Sequence, residues 1–433
     1  PLSCRHASFP AMSHDVVAPN PWMILPFALL LGTMAVAPMF APQWWLRHYA
    51  RVALGLGAVI AGYYLFVLHD THSLWDSGHE YISFIALVGS LFVISGGIHI
   101  GIKGEATPLT NVIFLFAGAI LANILGTTGA GMLLIRPWIR MNKYRVTAHH
   151  IVFFIFIVAN VGGSLTPIGD PPLFLGFLLG VPFWWVAKNC WPMWLIGVGL
   201  LLAIFYLVDR RNFLRAAQTV RDKETGENKW QIEGLPNLFF LAIILGAVFI
   251  QKPLFLREGL MLAAAAGSYF TTKKSVHVAN DFNFHPIQEV AILFAGIFTT
   301  MIPALAWLKH GSQALLGDEP GPGMLFWGTG VLSSALDNAP TYLGFLTALQ
   351  SAGGSTDVPG LIISHNLQLQ AISIAAVFFG AATYIGNGPN FMVKAIAEQN
   401  GVRMPSFVEY VLKFTLPFLL PVLIIVWLIF FRG

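Results

Sequence analysis

Charge and cysteine are scarce in this chain, and each shortage excludes a class of protein. Only 10% of the 433 residues are charged while 56% are hydrophobic, against about 25% charged in soluble domains. A soluble globular chain is thereby excluded, and a polytopic protein of the lipid bilayer remains. The formal net charge of +4 is small for this length, so nucleic acid is not an expected partner. Two cysteines, Cys4 and Cys190, supply neither a disulfide framework nor metal-ligand spacing. With no evident cluster of histidine or cysteine for a soft metal, no resident cofactor is expected. A cleavable signal peptide is missing too. Pro1 to Asn20 is polar, and the apolar run beginning at Trp22 lacks a basic leader and a small-residue cleavage site. Met12-Ser-His-Asp reads as a start, with the first eleven residues as an upstream extension.

What the chain does have is apolar length. Segments able to cross or enter a bilayer lie at about 22–41, 52–68, 81–102, 108–135, 147–180, 191–208, 236–251, 258–272, 286–308, 324–349, 369–395 and 406–431. Four are interrupted. The segments at 108–135 and 324–349 break at Gly126-Thr-Thr-Gly129 and at Ser333 to Thr341. Those at 147–180 and 369–395 break at glycine and proline. Lysine and arginine placement favours reading the first pair as re-entrant hairpins. Arg47, Arg51, Lys103, Arg136, Arg140, Lys143, Arg145, the run Arg210 to Lys229, Lys273, Lys274 and Arg403 then share one side, the cytoplasmic one. The loops at 69–80 and 350–368, with no lysine or arginine, take the other. Only scattered residues such as Lys188, Lys252, Arg257 and Lys309 oppose this bias.

Each half then has five crossings, one hairpin and one broken helix. An odd number of crossings turns the second half upside down. The expected organisation is an N-terminal extension (1–21), a first inverted repeat (22–208), a cytoplasmic linker (209–235) and a second repeat (236–433). The halves also match at their breaks. T-P-I-G-D-P-P-L-F-L (Thr166 to Leu175) aligns with T-Y-I-G-N-G-P-N-F-M (Thr383 to Met392) at a constant offset of 217. L-G-T-T-G (Leu125 to Gly129) aligns with L-D-N-A-P (Leu336 to Pro340) at an offset of 211. Paired broken segments in inverted halves point to the midplane site of a secondary transporter.

The most conspicuous break runs from Asn160 to Leu175, with three glycines, three prolines and Asp170. Proline and glycine oppose a continuous helix, and in lipid such a break survives only where it lines a protein-walled cavity. It offers Asn160, Ser164, Thr166, Gly169 and Asp170. The second break offers Thr383, Asn387 and Asn390. The hairpin tips add Thr127 and Thr128, then Ser333, Ser334, Asp337, Asn338 and Thr341. These are hard oxygen ligands suited to small cations. At each break a half-helix ends in carbonyls and the next begins with N–H groups. Asp170 and Asp337, one from each half, are the expected Na⁺ ligands. Burial disfavours the charged form of any carboxyl group and a bound cation favours it, so Na⁺ and H⁺ compete.

Blander readings stand beside these. Asp170 before Pro171-Pro172 could cap its half-helix, and Asp337 could cap its hairpin tip. Glu80 and Glu289 read as interfacial, and His99 as a satisfied core histidine. Lys394 reads as snorkelling toward the cytoplasm, and Trp44, Trp45, Trp184, Trp185, Trp191 and Trp194 as interface belts. The same two aspartates would suit an aspartyl dyad in a membrane-embedded hydrolase, but no accompanying motif appears. An enzyme is not expected.

With these residues identified, the chain resembles the ion-transporter superfamily, which contains NhaD-type sodium/proton antiporters, citrate transporters, arsenite permeases and sodium/dicarboxylate symporters. The resemblance rests on G-G-S-L-T-P-I-G-D-P-P (Gly162 to Pro172), S-A-L-D-N-A-P-T (Ser334 to Thr341) and Y-I-G-N-G-P-N (Tyr384 to Asn390). It is similar to the NhaD-type and citrate-transporter branch rather than to the symporters, whose Ser-Asn-Thr signatures are replaced here. The resemblance implies a homodimer with a scaffold and a moving transport domain. A bacterial inner-membrane Na⁺(Li⁺)/H⁺ antiporter is the leading expectation. A cation-coupled citrate or carboxylate transporter comes next, and arsenite or oxyanion efflux third.

Overall fold

A computed structural model describes residues 19–102, 107–215, 230–250, 252–317, 320–354 and 357–432. The N-terminal extension through residue 18, Lys103, and the linker's residues 216–229 lie outside that set. The described chain is an all-α, multi-pass membrane protein. Seven helices are long and apolar enough to cross a bilayer, and the pair Val358–Ser364 and Asn366–Gly380, bent by 107°, makes an eighth candidate.

In chain order the first half comprises α1 (Leu25–Phe40), α2 (Pro42–Phe66), α3 (Thr71–Gly96), α4 (Pro108–Met141), α5 (Ala148–Ile157), α6 (Pro171–Leu178) and α7 (Trp185–Arg215). The second comprises α8 (Asn237–Ala247), α9 (Leu256–Thr271), α10 (Lys274–Ala279), α11 (His285–Leu316), α12 (Pro322–Ala335) and α13 (Asn338–Ala352). These are followed by α14 (Val358–Ser364), α15 (Asn366–Gly380), α16 (Gly388–Gln399) and α17 (Phe407–Phe430).

Three sequence expectations are corrected. The stretch 69–80 is largely helix, because Asp70 caps α3 by accepting the Ser73 N–H at 3.1 Å and starts the helix at Thr71. A short antiparallel ribbon pairs His99–Ile102 with Trp230–Glu233, so His99 lies beyond the crossing, where its Nδ1 meets Asn280 Oδ1 at 2.8 Å. Finally, α8 has 11 residues and α9 has 16, spans of about 16 and 24 Å. Both fall short of an unaided crossing.

The chain doubles back on itself at both hairpin breaks. If α4 were straight, Asn111 and Asn142 would stand about 46 Å apart. Instead they exchange two hydrogen bonds, at 2.8 and 3.1 Å, and Phe114 stacks on Trp138. The turn is made at Gly126, whose φ of 74° and ψ of 157° leave the helical region. That backbone favours a residue without Cβ, and a Cβ there would also press on the Ile168 carbonyl at 3.2 Å. The second hairpin turns at Leu336-Asp337, where both residues are extended between α12 and α13.

The two outer ends of α4 are tied to α5 and α7 by a buried polar cluster that the sequence reading missed. Asp209 on α7 accepts from Arg145, from Asn111 at 2.9 Å and from His150 Nε2 at 3.1 Å. His150 Nδ1 accepts the Thr147 N–H as part of a capping box, which leaves Nε2 as its donor. His149, His150 and Asp209 bring ligand atoms within 4.8 Å of one another. The guanidinium already on that carboxylate supplies the positive charge a metal ion would bring.

Removing one partner of a buried ion pair strands the other. Asp209→Ala is therefore expected to lower stability by about 3–5 kcal/mol. Asp76→Ala, which breaks an exposed pair with His72, should change it by less than about 1 kcal/mol. Unfolding midpoints of the purified protein in detergent check both.

Candidate functional site

Each broken helix is closed back on the neighbouring hairpin by the same threonine device. Thr166 Oγ1 donates to the Asn123 carbonyl at 2.6 Å and accepts the Gly169 N–H at 3.1 Å. Thr383 Oγ1 donates to the Ser334 carbonyl at 2.6 Å and accepts the Gly386 N–H at 3.1 Å. The threonines and glycines are related by the offset of 217, and Asn123 and Ser334 by 211, the two offsets read from the sequence. Within each break, backbone passes over backbone. A Cβ on Gly169 would fall 1.9 Å from the Gly163 carbonyl oxygen, and one on Gly386 would fall 2.7 Å from that of Gly380. Glycine is required at these crossings because the chains approach closer than any side chain allows.

Asp170 stands where the breaks meet. Its side chain makes no capping bond to α6: Pro171 and Pro172 have no N–H to offer, and the next one, on Leu173, goes to the Asp170 backbone carbonyl at 3.1 Å. The carboxylate is free to serve other elements and is 1% exposed. Its Oδ1 accepts from Thr127 Oγ1 at 2.6 Å and from Asn387 Nδ2 at 3.0 Å, and its Oδ2 accepts from Asn338 Nδ2 at 2.5 Å. Thr127 comes from the first hairpin, Asn338 from the second and Asn387 from the second broken helix. Thr127 and Asn338 are related by the sequence offset of 211, and Asp170 and Asn387 by that of 217. One carboxylate therefore joins all four interruptions. Hydrogen bonds to a charged group contribute about 1.5–3 kcal/mol each, which offsets the several kcal/mol needed to bury an ion.

A second layer holds the asparagines. Asn387 Nδ2 also reaches Asn160 Oδ1 at 3.1 Å. Asn160 in turn donates to the Ile155 carbonyl at 2.8 Å and to Asn390 Oδ1 at 2.7 Å. Asn390 donates to the Gly380 and Thr383 carbonyls. Many half-helix carbonyls expected to face a cation are thus engaged by side chains. Gly162 accepts from Asn123 and Trp194, Ala376 from Ser333, and Ala381 and Ala382 from Tyr410 and Thr415.

The remaining expected site residues lie apart from this carboxylate. Asp337 caps α13, its Oδ1 accepting the Ala339 N–H at 3.0 Å, and makes no hydrogen bond to the Asp170 cluster. Thr341 bonds the Asp337 carbonyl, Ser164 that of Val161, and Ser334 that of Val331. Lys394 lies over the Tyr384 ring at 4.9 Å and reaches Glu398 at 3.6 Å. Thr127 is marked in the sequence by its alignment with Asn338. Asn123 sits in an unbroken helical run and carries no such signal.

A cavity of about 20 Å³ adjoins the carboxylate, lined by Gly126, Thr127, Thr128, Gly169 and Asp170 among others. That volume admits one water-sized species. In this conformation it suits a bare cation or a water and is too small for a tricarboxylate. Asn338, whose Nδ2 donates to Asp170, has its Oδ1 buried without a hydrogen-bond partner, an acceptor left over on an amide bound to the carboxylate. Among the described residues no lysine or arginine hydrogen-bonds to Asp170.

A family model described as "putative citrate transport" matches residues 17–431. No curated protein matches the chain.

Gly169→Ala is expected to abolish the folded protein, since the added methyl overlaps the Gly163 carbonyl. Gly388→Ala, with no atom within 4 Å of its Cβ position, should fold normally. Yield of monodisperse protein on size-exclusion chromatography distinguishes the two.

Proposed function

The chain belongs to that citrate-transport family and is a membrane transport protein, and we propose that it is a secondary active transporter exchanging Na⁺ or Li⁺ for H⁺ at Asp170. The observation that carries this reading is one buried carboxylate held only by neutral donors from three separate interruptions. Such a group has two stable neutralised states. Protonated, it is an uncharged acid among amides and a hydroxyl. Ionised, it balances a monovalent cation, for which Asn338 Oδ1 is a ready second ligand. Both states cannot hold at once, so uptake of one ion expels the other, and alternating access turns the competition into exchange. We place Asp337 as the second charge of the site, acting through space rather than through a shared hydrogen bond.

In this reading the halves 22–208 and 236–433 are inverted repeats joined by the 209–235 linker. Their matched threonine closures support that organisation. The protein works as a homodimer in a bacterial inner membrane.

The family description favours a second reading, cation-coupled citrate or carboxylate transport. A citrate trianion entering here would face Asp170 and Asp337 with no cationic side chain bonded to either, so it requires co-bound cations. Asp170 would then hold the coupling ion, and the cavity would have to open to admit the anion.

In proteoliposomes with an imposed ΔpH, Na⁺ or Li⁺ is expected to collapse the gradient, Asp170→Asn to abolish the response and Asp337→Asn to weaken it. A full response from Asp170→Asn, or none from the unaltered protein, sinks the exchanger. Sodium-dependent uptake of labelled citrate by the same vesicles would establish the second reading instead. Because protonation removes the cation's partner, the apparent KM for Na⁺ should rise as pH falls. The rise is about tenfold per unit through the range where Asp170 gains its proton.

A further inference from the structure

The corner between α1 and α2 carries a feature that ion exchange does not use. Trp44, Arg47, His48 and Arg51 recur at the three- and four-residue spacing that puts them on one face of α2. The Trp44 and His48 rings stack 5.1 Å apart at 14°, and His48 Nδ1 is fixed by the Trp44 carbonyl at 2.9 Å. Arg47 and Arg51 are exposed, and among the described residues neither has a hydrogen-bond or ion-pair partner. From Val16 to His69 the chain contains no aspartate or glutamate. Ala41, Pro42, Gln43, Trp44, Arg47 and His48 surround an open hollow of about 490 Å³. Farther along the same helix, one of the candidate membrane spans, Leu54 is 52% exposed and Val59 54%.

We propose that this corner is a binding site for the headgroup of an anionic phospholipid. The chemistry matches at each level. Two free guanidiniums suit a phosphodiester, to which arginine donates in a planar fork. The Gln43 amide and the stacked Trp44–His48 pair stand at headgroup depth, where amphipathic rings settle. Leu54 and Val59 lie where acyl chains run. Anionic lipid attracts basic residues near the surface of the cytoplasmic leaflet, the side the lysine and arginine bias assigns to this corner. A second copy of the chain is a poorer occupant, because a self-complementary contact of this corner would set one basic patch against another, with no aspartate or glutamate between residues 16 and 69 to pair with it. The site is independent of which ion or carboxylate the protein carries.

The test titrates phosphatidylglycerol into the purified full-length protein in detergent. Retained lipid is counted by native mass spectrometry, and the unfolding midpoint is followed in parallel. The unaltered protein should retain phosphatidylglycerol in preference to phosphatidylcholine and unfold at a higher temperature with it. Arg47→Gln/Arg51→Gln should bind it about tenfold more weakly or worse, while keeping the lipid-free midpoint and a monodisperse profile. Lys273→Gln/Lys274→Gln, another exposed basic pair, should bind it unchanged. Equal binding by the arginine variant overturns the proposal, and so does equal loss in the lysine variant, which would mark a diffuse charge effect. Displacement of the lipid by millimolar inorganic phosphate would overturn it in favour of a free-phosphate site.

Discussion

The arrangement depends on one electrostatic requirement, that a carboxylate buried at 1% exposure find donors wherever the chain can bring them. The Asp170 side chain takes no bond from its own helix: two prolines follow it, and the Leu173 N–H goes to its backbone carbonyl. Its three donors arrive from a hairpin in the first half, a hairpin in the second and the second broken helix. Each of those elements is interrupted at the donor residue. The interruptions are therefore not independent defects in apolar helices. They are four approaches to one oxygen pair.

Around that centre the backbone is held with little slack. Crossing strands at Gly163–Gly169 and Gly380–Gly386 approach too closely for any side chain. Side-chain donors hold the carbonyls that the breaks release, among them Asn123, Trp194, Tyr410 and Thr415. Such a framework explains how irregular backbone survives at membrane depth, where an unsatisfied polar group costs several kcal/mol. It also leaves the carboxylate and one amide oxygen, that of Asn338, as groups with unused capacity at the centre. At the opposite end of α4, the Arg145–Asp209 cluster plays a structural part. It fixes both arms of the first hairpin to α5 and α7, so that Thr127 is presented at a defined depth.

The two aspartates that look alike in the chain are not alike in space. Asp337 has N–H groups within reach and caps its helix. Asp170, with proline at both following positions, does not. In the sequence both were weighed as caps and both as ligands; the prolines remove two N–H groups, and only the structure shows that the Leu173 N–H goes to the Asp170 backbone carbonyl. The backbone carbonyls are a parallel case. Helix-end logic makes them cation ligands, and only the full structure reveals that many are already occupied.

The sequence by itself determined the membrane class, the positions of the four interruptions and their pairing at offsets of 217 and 211. These are properties of composition and local backbone chemistry, and proline, glycine and charge announce them one residue at a time. It also singled out Asp170, Asn338 and Asn387 as polar groups at membrane depth. Only the tertiary structure decided that these three touch, that Thr127 joins them, that Asp337 stands aside, and that His99 ends in a ribbon with the chain near Trp230. Those outcomes depend on which segments pack together across separations from 43 residues, Thr127 to Asp170, to 217, Asp170 to Asn387. A hydrogen bond of 2.5 Å between Asp170 and Asn338 leaves no trace in the local pattern of either partner.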